Sequence, residues 1–390
     1  MNAVNWERKP LGAVADLCLG KMLDQNKNRG EPLPYLANVN VRWGEFELSD
    51  LRTMRFESKE MDRYGLKFGD IVMCEGGEPG RCAIWKDQVP GMMIQKALHR
   101  IRPKELLNYR FLFYSFLHLG NSKVFDQYFT GATIKHLPGE KLAKVEVDIP
   151  PLPVQQHIAG ILSAYDELIE NSQRRIKILE SMARALYREW FVNFRFPGHE
   201  SVPRVLSPLG EIPQGWEVRK LGDIVEINKG KNITKKTIRP GDVPVVAGGV
   251  EPAYFHDTPN TTRPVVTVSA SGANAGFVNL YHVDVWASDC SYIDSSATRN
   301  LYYFYLWLDY RRAQVTHLQR GSAQPHVYPK DLAGLEAIDV PEEVISNFTK
   351  QVTPIFELMG NLAARVENLR RTRDLLLPRL LSGQINVEVV

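Results

Sequence analysis

The sequence predicts an α+β protein made of two similar halves, each combining a mixed globular unit with one long helix. Three observations lead to this prediction: short motifs that occur twice in the same order, two extended helical patterns, and β-like runs separated by glycine turns. A chain of 390 residues is also too long for one ordinary hydrophobic core, which favours several structural units.

The internal repeat is defined by motifs that recur at a nearly constant distance. A shift of 210 positions relates three pairs: Trp6-Glu7 with Trp216-Glu217, Leu11-Gly12 with Leu221-Gly222, and Gly20-Lys21 with Gly230-Lys231. Shifts of 190 to 192 relate three later pairs: the aromatic runs after Asn108 and Asn300, Gly131 and His136 with Gly321 and His326, and Asp148-Ile149-Pro150 with Asp339-Val340-Pro341. The first half is therefore longer before its aromatic run. Insertions concentrate in surface loops, so the halves share a scaffold but present different loops.

Each half ends in a long helical pattern with 4-3-4-3-4 spacing, which places the spaced residues on one stripe of a helix. The predicted helix-pairing residues are Ile176, Leu179, Leu186 and Trp190 in the first helix and Val366, Leu369, Leu376 and Leu380 in the second. Ser172 and Arg373 interrupt the apolar stripe and would restrict the register. The first helix is expected over Pro153–Val192, roughly 60 Å long at 1.5 Å per residue. Pro378 should kink or end the second helix.

Proline and motif positions divide the chain into five segments. The predicted segments are residues 1–150 and 215–340 for the globular domains, 151–196 for the first helix, 197–214 for a proline-rich extended or turn-rich linker, and 341–390 for the second helix and tail. Strands are expected at Ile71–Cys74, Val145–Val147 and Val265–Val268, while the aromatic runs suit either a buried helix or a strand.

Composition favours a cytoplasmic protein without a metal site. No apolar run is long enough to cross a membrane, and the N-terminus lacks the core of a signal peptide. The four cysteines form no C-x-x-C pair, which suggests buried or free thiols in a reducing compartment. The net charge of +3 is compatible with nucleic-acid binding but does not require it.

No catalytic motif stands out. The sequence has no phosphate-binding G-x-x-x-x-G-K-[ST] or G-x-G-x-x-G loop and no H-x-x-x-H spacing for a metal. Polar loops are better candidates for function, because Arg, Lys, Asn, Gln and Ser read base edges or bind phosphates. The candidate DNA-binding residues of the first half are Arg52, Arg55, Lys59, Arg81, Thr133, Lys135 and His136. Those of the second half are Lys229, Lys231, Asn232, Ser271, Asn274, Arg320, Ser322, Gln324 and His326.

Nearly the whole chain resembles the specificity subunit of type I DNA restriction–modification systems. The motifs that carry the resemblance are Arg373–Gly383, Pro151–Ile158, Leu186–Phe191, Gly69–Val72 with Gly80-Arg81, and Gly215-Trp216 with Leu221-Gly222. Gly321-Ser322-Ala323-Gln324 also fits the family's G-[ST]-x-Q pattern, whereas the first half has Ile134 at the glutamine position.

The resemblance implies two target-recognition domains joined by two antiparallel helices, related by approximate two-fold symmetry. Each domain would read one half of a bipartite, asymmetric DNA target, and the helices would set the gap and dock two methyltransferase subunits. Restriction subunits are a further implied partner. The chain itself would be non-catalytic and bind no cofactor, with S-adenosylmethionine, ATP and magnesium carried by the partner subunits.

Two other functions remain open from the sequence. The chain could be a coiled-coil adaptor without DNA readout, since its helices have the heptad spacing of coiled coils. It could also be a degenerate fused restriction–modification enzyme, for which Glu57-Ser58-Lys59 is a weak trace of an acid-x-Lys nuclease motif. Methyl transfer by the purified chain would favour the enzyme, and absence of DNA binding would favour the adaptor.

Overall fold

The computed structural model describes residues 6–24, 28–321 and 325–387. The backbone divides into two compact units. The first unit is formed by Met1–Glu170 together with Glu367–Val390, and the second by Asn171–Val366. Two helices of 40 residues each, α5 (Leu152–Phe191) and α10 (Glu342–Leu381), contribute one part to each unit. The division therefore passes through both long helices and not through the linker.

The first unit is a mixed α+β structure. Its strands are β1 (Glu7–Pro10), β2 (Ala15–Leu19), β3 (Glu31–Leu36), β4 (Arg52–Phe56), β5 (Ile71–Cys74), β6 (Cys82–Ile84), β7 (Met93–Ile94), β8 (Leu98–Pro103) and β9 (Glu146–Ile149). Its short helices are α1 (Leu11–Val14), α2 (Ser58–Tyr64), α3 (Tyr109–Asn121) and α4 (Gly139–Leu142). Helix α3 contains the first aromatic run. Its N-terminus is capped by the Asn108 side chain, which accepts hydrogen bonds from the Arg110 and Phe111 N–H groups.

The second unit repeats this architecture. Its strands are β10 (Arg204–Ser207), β11 (Gly210–Pro213), β12 (Glu217–Lys220), β13 (Asn228–Lys229), β14 (Val243–Val246), β15 (Tyr254–His256), β16 (Val265–Ser269), β17 (Val278–Tyr281), β18 (Trp286–Ala287), β19 (Cys290–Asp294) and β20 (Glu336–Asp339). Its short helices are α6 (Leu221–Ile224), α7 (Leu301–Tyr310), α8 (Arg312–His317) and α9 (Pro329–Ala333). Helix α7 contains the second aromatic run, so both runs are buried helices.

The sheets of the two units have the same strand orders. The four-stranded sheet is β2-β8-β5-β6 in the first unit and β13-β19-β16-β17 in the second. The three-stranded sheets β4-β3-β7 and β15-β14-β18 and the two-stranded sheets β1-β9 and β12-β20 also correspond. Even the single parallel pairing in each three-stranded sheet recurs, β3 with β7 and β14 with β18. The predicted internal repeat is therefore a repeat of the topology of these three sheets.

Strand register corrects one part of the sequence alignment of the halves. Glu7 lies opposite Ile149, and Glu217 lies opposite Asp339. Because Glu7 and Glu217 are equivalent, Asp339 corresponds to Ile149 and not to Asp148 as the shared Asp-x-Pro motif suggested. The predicted strand at Val145–Val147 likewise lies one to two residues later, at Glu146–Ile149.

The segments α5 and α10 pack together within each unit. In the first unit Arg373 of α10 contacts Asp166 of α5, and in the second Phe348 of α10 contacts Trp190 of α5. This order of contacts is that of an antiparallel pair. Of the predicted pairing residues, Trp190, Val366 and Leu380 are buried. The half-buried ones are Ile176, Leu179, Leu186, Leu369 and Leu376.

One sequence expectation, the end of α10 at Pro378, needs correction. Pro378 does not end α10, which continues to Leu381; the Pro378 carbonyl accepts a hydrogen bond from the Ser382 N–H, so the helical pattern extends beyond the proline. The linker, expected to be extended or turn-rich, contains two extended strands joined by a turn, the β10–β11 hairpin, with Arg204 opposite Pro213 and Ser207 opposite Gly210.

Candidate nucleic-acid interface

Each unit carries a short loop closed by a pair of reciprocal backbone hydrogen bonds. In the first unit the N–H groups of Thr130 and His136 each donate to the other residue's carbonyl, both at 2.8 Å. In the second unit Arg320 and His326 form the same pair, both at 2.9 Å. The candidates Thr133, Lys135 and His136 are exposed on the first loop. Ser322 and Gln324 belong to the corresponding stretch of the second unit and lie outside the described residues.

Both loops are fixed to the segment that follows a central strand of the four-stranded sheet. The Leu137 N–H donates to the Glu75 carbonyl after β5 (2.8 Å), and the Val327 N–H donates to the Ala270 carbonyl after β16 (2.9 Å). In the second unit the Gly272 N–H also donates to the Pro325 carbonyl at 3.1 Å. The loops therefore lie at the same end of each sheet, where β5 and β16 end.

A glycine–lysine turn reaches this same end in both units. The Lys21 N–H donates to the Ile94 carbonyl (3.0 Å), and the Lys231 N–H donates to the Ala287 carbonyl (2.9 Å). A Cβ on the preceding residue, Gly20 or Gly230, would collide with the neighbouring backbone carbonyl of Gln95 or Ser288. Glycine is needed at both positions because the two backbones approach so closely, which explains why the motif occurs twice.

Most candidates of the second unit meet at this end of the sheet. Lys229, Lys231 and Asn232 are exposed at and after the end of β13, and Asn274 is exposed after β16. The Ser271 hydroxyl donates to the Asp289 carboxylate, which joins the segment after β16 to the segment before β19. Arg320 remains largely exposed while its guanidinium pairs with Asp331 at 2.6 Å. His326 is half-buried, with its ring stacked on Tyr328.

The candidates of the first unit fall into two groups. Thr133, Lys135 and His136 occupy the loop that corresponds to the second unit's Arg320–His326 loop. Arg52 and Arg55 lie on β4, an edge strand of the three-stranded sheet, and Lys59 lies on α2; all three are exposed. The sequence did not indicate that these three would form a separate surface.

Arg81 has a different environment from the other candidates. Its side chain is 14% exposed, its Nη1 pairs with Glu78 at 2.5 Å, and its Nη2 donates to the Asn38 carbonyl at 3.0 Å. These contacts join the segment after β5 to the segment after β3. A readout role for Arg81 stays a prediction, but its contacts here stabilise the loop structure.

Sequence reasoning missed two buried cations of the first unit. Lys21 forms an ion pair with Glu60 of α2 at 2.6 Å. Arg100 of β8 donates to three carbonyls at the end of α2, those of Asp62, Arg63 and Gly65. Glu57 and Glu60, spaced as a capping box, were the available signal for α2, since an acid at the N-cap and Glu three residues later mark a helix start. The burial of Lys21 and Arg100 had no signal in the sequence.

The pKa values of the groups around these two buried cations are shifted by burial and by neighbouring charges. Burial disfavours the charged form of Glu60, but hydrogen bonds from Lys21 and from the Glu57 N–H outweigh it, so the pKa of Glu60 is lowered. Burial, reinforced by the neighbouring Arg102, lowers the pKa of Arg100. Arg102 itself forms two 2.7 Å hydrogen bonds with the buried Asp70, which raise its pKa. Several charged side chains of the first unit, Arg100 and Asp70 among them, are therefore buried and bind partners inside the unit.

Two copies of one α+β scaffold, each with different polar loops at the same end of its main sheet, define a duplicated recognition protein. The model of the Type I restriction modification DNA specificity domain matches residues 3–181 and 213–368, and the chain belongs to this family. The predicted family, type I specificity subunits with two recognition domains, is confirmed.

Known relatives agree with this assignment. The Type I restriction enzyme MjaIX specificity subunit of Methanocaldococcus jannaschii is 28% identical over 341 residues, covering 82% of this chain and 78% of the relative. The putative MjaX specificity subunit of the same organism is 23% identical over 408 residues, covering 98% of this chain and 94% of the relative. A crystal structure of a type I system S subunit from M. genitalium has the same fold, with a TM-score of 0.63 at 18% identity and 97% of both chains covered. Among the described residues, no helix combines the length and apolar character that a bilayer crossing requires.

Proposed function

We propose that this chain reads a bipartite, asymmetric target in double-stranded DNA, one half-site for each unit, and directs two methyltransferase subunits to it. The chain itself would be non-catalytic and hold no cofactor. The methyltransferase subunits would supply S-adenosylmethionine, and restriction subunits, where present, would use ATP and magnesium.

One observation carries this proposal: equivalent backbone positions in the two units present different side chains. Both loops are closed by the same pair of backbone hydrogen bonds, and Thr130 and Lys135 of the first unit stand where the second has Arg320 and Pro325. Base sequence is read by side chains that reach base edges in a groove, while phosphate contacts position the protein. A shared scaffold with different loop residues therefore predicts two half-sites of different sequence.

The long helices support the second part of the proposal, a fixed gap between the half-sites. Both α5 and α10 are continuous over 40 residues and contribute to both units. Half-site spacing follows protein geometry in DNA-binding proteins with two readers. The helices would therefore act as a ruler and offer the docking surface for the methyltransferase subunits.

Methylation mapping tests the readout. The chain is co-expressed with its methyltransferase subunits in cells that lack other adenine or cytosine methylation, and long-read sequencing defines the methylated motif. We expect two different half-sites separated by a fixed gap. Lys231→Ala should relax or abolish the reading of one half-site, and Lys135→Ala should affect the other.

Two outcomes would contradict the proposed readout. One is a complete complex that methylates without any bipartite motif. The other is a single-unit variant that changes both half-sites equally. Methyl transfer by the isolated chain would instead indicate an enzyme.

An insertion tests the ruler. Seven residues, two helical turns in the heptad register, are added between Glu170 and Asn171 and again between Val366 and Glu367, where the units divide. The helices lengthen by roughly 10 Å at 1.5 Å per residue, so the gap should grow by about three base pairs at roughly 3.4 Å each. The half-site sequences should stay the same. Insertion into α5 alone is the control and should disrupt pairing; changed half-sites with an unchanged gap would refute the ruler.

A further inference from the structure

Helix α2 distinguishes the first unit from the second. It lies between β4 and β5, whereas the equivalent strands β15 and β16 are joined by residues 257–264, which are all described and form no helix. A seven-residue helix is far too short to be stable by itself in water. Tertiary contacts must therefore hold α2 in place, and two buried cations provide them.

Lys21 holds the start of α2. Its side chain is 4% exposed, and its ammonium group contacts Glu60 at 2.6 Å and the Arg55 carbonyl at 2.9 Å, 5.0 Å from the centre of the Phe56 ring. The Glu60 carboxylate also accepts the Glu57 N–H at 2.9 Å. Lys21 thus ties the last residues of β4 to the first turn of α2.

Arg100 holds the end of the same helix. Its Nη1 donates to the carbonyls of Asp62, Arg63 and Gly65 at 3.0, 2.7 and 3.1 Å. Carbonyls at the C-terminus of a helix lack partners within the helix, and a cation there satisfies them. Strand register places Tyr292 at the position of Arg100 in the second unit, so this contact belongs to the first unit.

The same contacts shape the charge of the surface. Residues 52–67 carry five exposed cations: Arg52, Arg55, Lys59, Arg63 and Lys67. The acidic residues of the same segment are Glu57, Glu60 and Asp62. Glu57 and Asp62 form ion pairs with Lys59 and Lys67 at 3.1 and 3.8 Å, and Glu60 is turned inward onto Lys21. With Glu60 neutralised by a buried lysine, the five exposed cations of this segment outnumber its two remaining acids, and this excess of positive charge favours contact with DNA phosphates.

We infer that Lys21 and Arg100 are positioning residues that fix β4 and α2 as a phosphate-contacting arm of the first unit. This inference rests on the proposed DNA readout and adds an asymmetry to it. The arm would add backbone contacts beside the first unit's half-site and fix the register of that unit on the duplex. Residues 257–264, which join the equivalent strands of the second unit, form no helix, so its half-site would be read without contacts from such a helix.

Binding measurements on the complete complex test the inference. The chain with its methyltransferase subunits binds duplexes that carry the mapped target, or the target with one base pair substituted in either half-site, across a salt titration. Lys21→Met should weaken binding about tenfold, reduce the slope of log K against log salt by one to two, and lower base discrimination at the first unit's half-site. Discrimination at the other half-site should stay within about twofold.

Two further variants separate an arm on DNA from a general folding defect. Lys59→Met changes a side chain that is 78% exposed, so the fold should be retained while the salt slope falls by about one. Lys104→Met is the charge-matched control, because Lys104 follows β8 at the opposite end of the sheet from Lys21. It should leave affinity and salt slope within about twofold of the wild type.

The outcomes distinguish this inference from the proposed function. The wild-type complex could read both half-sites while Lys21→Met and Lys59→Met have the same salt slope and base discrimination as the wild type. That result would overturn the proposed arm and leave the proposed readout intact. Equal losses at both half-sites in Lys21→Met would also overturn it. A wild-type complex without half-site discrimination would refute the readout itself.

Discussion

Lys21 and Lys231 occupy the same position of the same turn in the two units, yet one is buried against Glu60 and the other is exposed. The N–H groups of the glycine and the lysine donate to equivalent backbone carbonyls in both turns, and both turns need glycine. The comparison shows that main-chain contacts hold the repeated scaffold, because they depend little on side-chain identity. Side chains at equivalent positions are therefore free to take different roles.

The contacts between α5 and α10 also differ between the two units; we call these contacts the helix junction of each unit. In the first unit Tyr114 of α3 and Arg373 of α10 both donate to Asp166 of α5, at 2.6 and 2.5 Å. In the second unit the junction is aromatic, with the Phe348 ring against Trp190 and Phe191 at 5.5 and 4.7 Å between ring centres. Both junctions bury apolar side chains, with Leu162 and Leu380 in the first unit, but only the first adds this charged network at Asp166.

The largest effect should come from the aromatic junction. Phe348 is fully buried, so Phe348→Ala should lower the free energy of unfolding by about 3–5 kcal/mol through lost burial and a cavity. Urea unfolding followed by tryptophan fluorescence measures it. Phe255→Ala, an exposed phenylalanine of the same unit, is the control. A loss below about 1 kcal/mol for Phe348→Ala would show that the second junction does not depend on packing.

Loss of the charged contact at the first unit's helix junction should lower the free energy of unfolding by less. Arg373→Ala removes the charged partner of Asp166 while Tyr114 still donates to it, and a hydrogen bond to a charged group contributes about 1.5–3 kcal/mol. We expect a loss of about 2 kcal/mol, with Arg371→Ala on the exposed face as the control. A double-mutant cycle with Tyr114→Phe measures the coupling through Asp166. Additive effects would contradict a shared network.

Repetition made much of this fold predictable. The Trp-Glu, Leu-Gly and Gly-Lys motifs mark β1, α1 and the turn after β2 and their counterparts. The 4-3 spacing and the flanking prolines placed both ends of α5 and the start of α10 to within one residue. These features depend on local periodicity and on backbone geometry, which sequence patterns express directly. The aromatic runs could not be assigned because a fully buried helix shows no polar face.

The contents of the candidate site were less predictable. Exposed loop cations such as Lys135 and Lys231 were found by residue type, but the same reasoning could not separate Lys21 from Lys231. Burial of a cation depends on the partner that the fold brings to it, here Glu60, 39 positions away. Arg81 shows the converse, since a loop arginine next to glycines is held by Glu78 and the Asn38 carbonyl. Long-range pairing decides which charges reach the surface.

A smaller loss of stability, confined to acid pH, should distinguish the residues that hold the loop in each unit. His99 of β8 is buried, and its Nε2 donates to the Leu137 carbonyl beside the first unit's loop, whereas Ser291 occupies the equivalent position. Burial lowers the pKa of His99. Because the pKa of His99 is lower in the folded state than in the unfolded state, its contribution to the free energy of unfolding is present above about pH 6.5. That contribution is lost as the pH falls towards the pKa of the folded state.

Urea unfolding between pH 7.5 and 5 checks this dependence. His99→Gln keeps a donor for the Leu137 carbonyl without a titrating group, so its stability should decline less steeply with acid than that of the wild type. His317→Gln in the second unit is the exposed control. If the free energy of unfolding depends on pH in the same way for the wild type and for His99→Gln, protonation of His99 does not affect the stability of the first unit.

The smallest loss of stability should come from the arginine–aspartate ion pair that each unit forms, at non-equivalent positions, across corresponding strands. Arg8 binds Asp148 through two hydrogen bonds of 2.7 and 3.2 Å across β1 and β9, and Arg219 contacts Asp339 at 3.2 Å across β12 and β20. All four side chains are about one third or more exposed, so Arg8→Ala and Arg219→Ala should each cost about 0.2–1 kcal/mol. Arg8 should cost more, because its geometry is bidentate. The difference should vanish in 1 M salt, which screens exposed charges; equal losses at low and high salt would mean that packing of the arginine stems, and not charge, joins these strands.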